Sequence, residues 1–113
     1  MAAGVRLPHW LAQARHILDR DFRDRLTTTQ IARVVGVHPV YLAQVFRQNF
    51  GVGVIEYLAQ QRVDFASREL RETAASIAEI ASAAGFYDQG HFARTFKRLT
   101  GLTPSEYRRR NGG

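Results

Sequence analysis

The sequence has no cysteine. Disulfide frameworks, zinc fingers and thiol catalysis are therefore excluded for this chain. A thiol-free composition agrees with a reducing cytoplasm. No apolar run approaches the roughly 20 residues that a membrane-spanning helix needs. The first residues lack the zones of a secretory signal. The expected location is cytoplasmic, with no membrane as partner. Strand-like alternation bounded by turn signals is also missing. The histidines do not gather: His9 and His16 are seven apart, and His38 and His91 fall in different parts of the chain. Neither a metal nor a cofactor is expected. No nucleophile–base–orienter set and no glycine-rich phosphate loop stands out, so the chain does not read as an enzyme. Asp19, Asp21 and Asp24 read as a solvated helix end.

What is present is basic and helical. The 113 residues carry sixteen Lys and Arg against ten Asp and Glu, a net charge of +6 and a pI of about 10.7. Fifteen of the sixteen cations are Arg, which can grip phosphate or guanine with two parallel donors. Residues 94–110 hold Arg94, Lys97, Arg98, Arg108, Arg109 and Arg110 against Glu106 alone. Such a balance favours nucleic acid or an anionic surface. A plainly solvated basic surface is the competing explanation. The terminal Arg-Arg-Arg-Asn-Gly-Gly is expected to fray.

Nearly the same unit occurs twice. Ile31-Ala32, Gly36, Leu42-Ala43, Phe46, Gly51 and Glu56-Tyr57 are followed by Ile80-Ala81, Gly85, Phe92-Ala93, Phe96, Gly101 and Glu106-Tyr107. The second copy has one extra residue after its glycine. Each copy is a helix, a glycine turn and a second helix, the plan of a helix-turn-helix.

Helical periodicity and capping signals fill in the rest. A first helix runs from Pro8 to about Asp24, with Trp10, Leu11, Ala14, Ile17, Leu18 and Phe22 on one face. Thr27 with Gln30 forms a capping box for a helix burying Ile31, Ala32 and Val35, closed by Gly36. His38-Pro39 opens the next, to about Asn49, with Tyr41, Leu42, Val45 and Phe46 inward. A longer helix follows at about 54–71, with Leu58, Phe65, Ala66 and Leu70 inward. Ser76 with Glu79 caps a helix holding Ile77, Ile80, Ala81 and Ala84, closed by Gly85. Asp88 caps another carrying Phe92 and Phe96. Thr103-Pro104 with Glu106 starts a last short helix holding Tyr107. The fold class is all-α, about seven helices, with two helix-turn-helix lobes joined by a long connecting helix. An 18-residue connector spans roughly 27 Å, of the order of the ~34 Å between successive major-groove faces.

The stretch from Gly85-Phe86-Tyr87-Asp88-Gln89-Gly90-His91-Phe92 through Phe96-Lys97-Arg98 to Gly101-Leu102-Thr103-Pro104-Ser105-Glu106-Tyr107-Arg108 closely resembles the signature of AraC/XylS-type transcription regulators. Ile31-Ala32, Val35-Gly36-Val37-His38, Tyr41-Leu42, Phe46 and Phe50-Gly51 resemble that family's first helix-turn-helix. The resemblance covers about residues 9–110. It implies a DNA-binding domain over 1–113, with a first lobe at about 8–52, a linker helix at about 54–71 and a second lobe at about 76–110. It also implies an asymmetric DNA site read in adjacent major grooves. Gly90 and His38 depart from the family, which often has Ser at both positions. Nothing resembles the separate effector or dimerisation domain that many members carry.

Val40, Ala43, Gln44, Arg47 and Gln48 fall away from the Leu42/Phe46 core. The resemblance turns Val40, Ala43 and Gln44 toward base edges. Val40 and Ala43 can touch only thymine methyls, whereas Gln44 can take adenine or a phosphate. Gln89, Gly90, His91 and Arg94 form the second base-reading set, with Arg94 suited to guanine or phosphate and a surface ion pair as its bland use. Arg47, Gln48, Lys97 and Arg98 fit phosphate. Thr27 and Ser76, at helix starts, fit phosphate or simple capping. Double-stranded DNA is the expected partner and RNA polymerase a second one, as for an activator. A helical protein-interaction module is the alternative class. A targeting module attached to a DNA-alkyl-transfer enzyme is disfavoured by the missing cysteine.

Overall fold

The computed structural model describes residues 6–112. Among them stand seven α-helices and no strand: α1 (His9–Asp21), α2 (Thr28–Val35), α3 (Pro39–Phe50), α4 (Val54–Glu72), α5 (Ile77–Ala83), α6 (Gln89–Thr100) and α7 (Pro104–Asn111). The all-α plan with two helix-turn-helix lobes is observed. The Met-Ala-Ala-Gly start and Gly113 lie outside the described residues. Within them the arginine tail is helical: α7 runs through Asn111, and the Gly112 amide still donates to the Arg108 carbonyl at 2.7 Å.

Helix starts are set by side chains that satisfy orphan amides. Thr27 Oγ1 accepts from the Gln30 amide at 3.1 Å, and Gln30 Oε1 accepts from the Thr27 amide at 3.0 Å. Ser76 with Glu79 and Thr103 with Glu106 repeat this reciprocal box. Asp88 Oδ1 accepts from the His91 amide at 2.7 Å. His38 serves as a cap as well, its Nδ1 accepting from the Val40 amide at 3.1 Å. Helix α1 ends at Asp21, three residues short of the expected Asp24, and Pro8 stands just before it, its carbonyl accepting from Leu11 and Ala12.

The chain divides into two compact units. Of the described residues, the first unit takes those up to Asp21 and Leu26–Leu58; the second takes Phe22–Arg25 and those from Ala59. In the first unit, α1 packs on α2 and α3. Leu11, Ala14, Leu18, Ile31, Ala32, Leu42 and Phe46 are buried, with Val54 and Leu58 from the start of α4. The Phe46 ring meets Phe50 at 4.6 Å and Tyr57 at 5.4 Å. Tyr41 does not join this core. It is 52% exposed, because Leu42 and Phe46, one turn apart, point α3 inward and leave Tyr41 about 100° round the helix. There it leans on Trp10 at 5.5 Å. Val35 and Val45 are likewise only partly buried. Asp19 is no simple solvated carboxylate, since the Tyr57 hydroxyl donates to it at 2.5 Å.

In the second unit, Val63, Ala66, Leu70, Ile80, Ala81, Ala84, Phe86, Phe92 and Phe96 form the core, with Phe65 and Tyr107 packed at its margin. The Phe22–Arg25 connector belongs here. Arg62 donates from Nε to the Phe22 carbonyl and from Nη2 to the Asp24 carbonyl, both at 2.8 Å. Arg23 donates to the Ala83 carbonyl at 2.6 Å and lies 4.6 Å over the Phe65 ring. Burial works against the Arg62 charge. The two carbonyls it holds offset that cost.

Two stability outcomes follow from this packing. Phe96 is wholly buried, so Phe96→Ala should cost about 3–5 kcal/mol. The half-exposed Tyr41→Ala should cost about 1 kcal/mol, mainly its contact with Trp10. Chemical denaturation of both variants measures the contrast, and equal losses would contradict the assigned helix rotation. Burial and the Asp19 hydrogen bond push the Tyr57 hydroxyl up from 10.0 to about 12. A raised value in the folded state means stability present in full below pH 10 and lost as pH rises toward 12. Denaturation midpoints across this alkaline window should fall more steeply for the parent protein than for Tyr57→Phe.

Candidate nucleic-acid interface

Both helix-turn-helix turns are built around a left-handed glycine. Helix α2 ends on Gly36 at φ 80°, and α3 starts three residues later, at Pro39. Helix α5 ends one residue earlier than the sequence implies: Ala84 caps it in a right-handed conformation and Gly85 follows at φ 96°. Helix α6 then starts four residues after Gly85, at Gln89, so the extra residue of the second repeat lies in its turn. Gly85 has a second constraint. A Cβ there would fall 2.7 Å from the Arg23 carbonyl oxygen and 2.9 Å from its Cα. At Gly36 the same space is open.

On α3, Val40 (58% exposed), Ala43, Gln44, Arg47 and Gln48 all face solvent, opposite Leu42 and Phe46. Arg47 lies against the α3–α4 turn, where a Cβ built on Gly53 would fall 2.7 Å from its Nη2. An open groove of about 400 Å³ adjoins it, lined by Thr28, Ala43, Arg47, Val52, Gly53 and Ile55 among others. Its walls mix the Arg47 guanidinium, the Glu56 carboxylate and the Thr28 side chain with small apolar groups.

On α6, Gln89, Gly90, His91, Arg94, Lys97 and Arg98 are exposed, opposite the buried Phe92, Thr95 and Phe96. His91 is not isolated: its ring meets the edge of Phe86 at 5.4 Å. Lys97 and Arg98 fall in the last turn, where cations also suit the helix dipole.

Thr27 and Ser76 each use a hydroxyl lone pair and the backbone amide in a capping box. Neither amide is open to an anion. The two differ in charge. The partner of Thr27 is the neutral Gln30, whereas Ser76 has the Glu79 carboxylate, held below its ordinary range by the Ser76 amide and hydroxyl. A phosphate approaching Ser76 meets the like charge of Glu79, which the neutral partner of Thr27 does not present.

Sequence reasoning missed an exposed pair next to α6. Tyr87, 77% exposed, stands two residues before Gln89, with the Arg25 guanidinium 5.5 Å over its ring. Arg25 is far from Tyr87 in sequence, so no local pattern signals the pairing. Tyr87 enters the sequence reading only as one residue of the signature stretch.

A helix-turn-helix domain family model matches residues 31–110, most of the chain. The chain is 36% identical over 93 residues to the arabinose operon regulatory protein of Escherichia coli. The chain belongs to the AraC-type helix-turn-helix family. That match covers 82% of this chain and 30% of the regulator, so the AraC-type domain spans about a third of that relative's length. Among solved structures, the C-terminal domain of AraT, a response regulator from Geobacillus stearothermophilus, superposes with a TM-score of 0.92 at 32% identity, over 96% of this chain and 91% of that one. The DNA-binding domain of AdpA, solved with a target DNA, shares the fold at TM-score 0.84 and 24% identity, over 88% of this chain and 90% of that one.

The turn geometry of this AraC-type domain sets its own test. Gly36→Ala meets only the left-handed backbone penalty, about 1–2 kcal/mol. Gly85→Ala meets that penalty and the Arg23 backbone, so it should lose at least ~2 kcal/mol more. Urea denaturation compares them, and a Gly85→Ala protein as stable as Gly36→Ala would contradict the close approach.

Proposed function

We propose that the chain is the DNA-binding part of a cytoplasmic transcription regulator, which lays α3 and α6 into successive stretches of the major groove of an asymmetric site. The observation that carries this reading is the face of α6: polar and basic groups from Gln89 to Arg98 lie opposite wholly buried Phe92 and Phe96, in a chain of a helix-turn-helix family. The AdpA domain, of the same fold, was solved on its target DNA.

Gln89, His91 and Arg94 read bases from α6, with Gly90 lying bare among them; Val40, Ala43 and Gln44 form the base-reading surface of α3. The exposure of all seven supports this assignment. Gln suits adenine, Arg suits guanine, and Val40 and Ala43 suit a thymine methyl. Arg47, Gln48, Lys97 and Arg98 hold phosphates, and the hydrogens of the Thr27 and Ser76 hydroxyls reach others. Glu79 makes Ser76 the weaker of that last pair. The domain acts by binding rather than catalysis, and RNA polymerase is its second partner when the regulator activates.

The test uses binding curves on a preferred and a scrambled duplex at several salt concentrations, the preferred site being obtained by selection from random duplex DNA. Arg94→Ala should lose about 1–3 kcal/mol of discrimination at one or two adjacent base pairs. Arg47→Ala should weaken both duplexes alike and lower the salt slope by about one. Equal weakening of both duplexes by Arg94→Ala would make Arg94 a phosphate contact. A parent protein that prefers no duplex at any salt would favour the protein-interaction class instead.

A further inference from the structure

Gly90 is the second residue of α6 and is exposed. Its backbone does not need glycine: the positive-φ glycines among the described residues are Gly36, Gly51, Gly85 and Gly101. Within a helix, glycine is disfavoured relative to almost any other residue, because it loses more backbone freedom on folding. Its presence in the first turn of the recognition helix therefore has no local explanation in conformation.

What Gly90 supplies is space. A Cβ there would fall 3.2 Å from Arg94 Nη1 and 3.4 Å from Asp88 Oδ1. Arg94 is one turn further along, and helical side chains lean toward the N-terminus. Its guanidinium thus lies back over the bare first turn. Asp88, on the same side, is fixed by accepting from the His91 amide at 2.7 Å. A recognition helix approaches base edges with its N-terminal residues. Lying over Gly90 brings the Arg94 donors to that end, although its Cα is more than a turn away.

We infer that Gly90 is the positioning residue that sets where Arg94 reads DNA. The inference rests on the base-reading role proposed for Arg94. A methyl at position 90 displaces the guanidinium by a few tenths of an ångström; a branched side chain moves it off the first turn altogether. The effect runs opposite to stability. Gly90→Ala strengthens the helix while disturbing the reading group.

The experiment is a double-mutant cycle. Gly90→Ala and Gly90→Val are made in the parent protein and in Arg94→Ala, and each is measured on the preferred duplex and on duplexes altered at the base pairs that Arg94 reads. Thermal melts are run alongside. In the parent, Gly90→Val should reduce discrimination at those pairs about tenfold, the loss expected when one bidentate contact is misplaced. Gly90→Ala should reduce it less and raise the melting temperature. In Arg94→Ala, either substitution should change discrimination by less than about twofold, since the group it displaces is gone. A loss of the same size with and without Arg94 overturns the inference, because position 90 would then act on the DNA itself. A parent protein that discriminates but keeps its preference in Arg94→Ala overturns the base-reading role, and the positioning role with it. A parent with no preference for any duplex overturns the DNA reading as a whole.

Discussion

The rotation of each recognition helix about its own axis is the constraint on which the proposed interface depends. In α6 that rotation is fixed by Phe92 and Phe96, one turn apart and both wholly buried. Their rings meet edge to face at 5.5 Å. The line of rings continues at both ends, to Phe86 at 5.1 Å and to Tyr107 at 5.3 Å. A slip of one residue would turn the helix by about 100°. It would expose a phenylalanine and drive a polar or charged neighbour toward the core, a change far more costly than any single surface contact. The face bearing Gln89, Gly90 and Arg94 is thus specified by residues buried on the opposite side of the helix. In α3, Leu42 and Phe46 do the same work, with Phe50 and Tyr57 around the Phe46 ring.

What could be read from the sequence was what local chemistry decides. Capping boxes at Thr27 and Ser76 act over three residues, and both formed where Gln30 and Glu79 placed them. The inserted residue after Gly85 reappears as a longer turn before α6, because the aromatic spacing beyond it has to be preserved. Periodicity alone turns Tyr41 inward and cannot resolve its exposure. It adjoins the inner arc of α3, and whether such a residue is covered depends on what α1 sets against it. Trp10 covers one side only. The burial of Val54, Val63 and Phe86 is likewise decided by distant segments. The Phe22–Arg25 connector was invisible altogether. Its partners, Arg62, Phe65 and Ala83, are about 40 to 60 residues away and follow no motif. Of the candidate interface, the exposed faces were legible from the core they oppose, whereas the lie of each guanidinium was not.

That difference matters for the meaning of the net charge. A charge of +6 invites the view that each arginine is a phosphate contact in waiting. Several are committed elsewhere. Arg62 and Arg23 bind carbonyls within the second unit. Arg108 donates to the Leu70 and Thr73 carbonyls at 3.2 Å, satisfying acceptors that α4 leaves open at its end. Arg71 donates to the Tyr107 hydroxyl at 2.6 Å, and Arg15 lies 4.9 Å over the Phe50 ring. Five donors on a planar group allow one arginine to bind two carbonyls, which lysine cannot do with the same geometry. An arginine-rich composition therefore serves the fold as well as the ligand. Their charges still add to the long-range field, but ordered acceptors already hold these guanidinium groups. The salt slope of binding counts phosphates actually neutralised. On the phosphate contacts proposed above, it should fall well short of the total of sixteen cations.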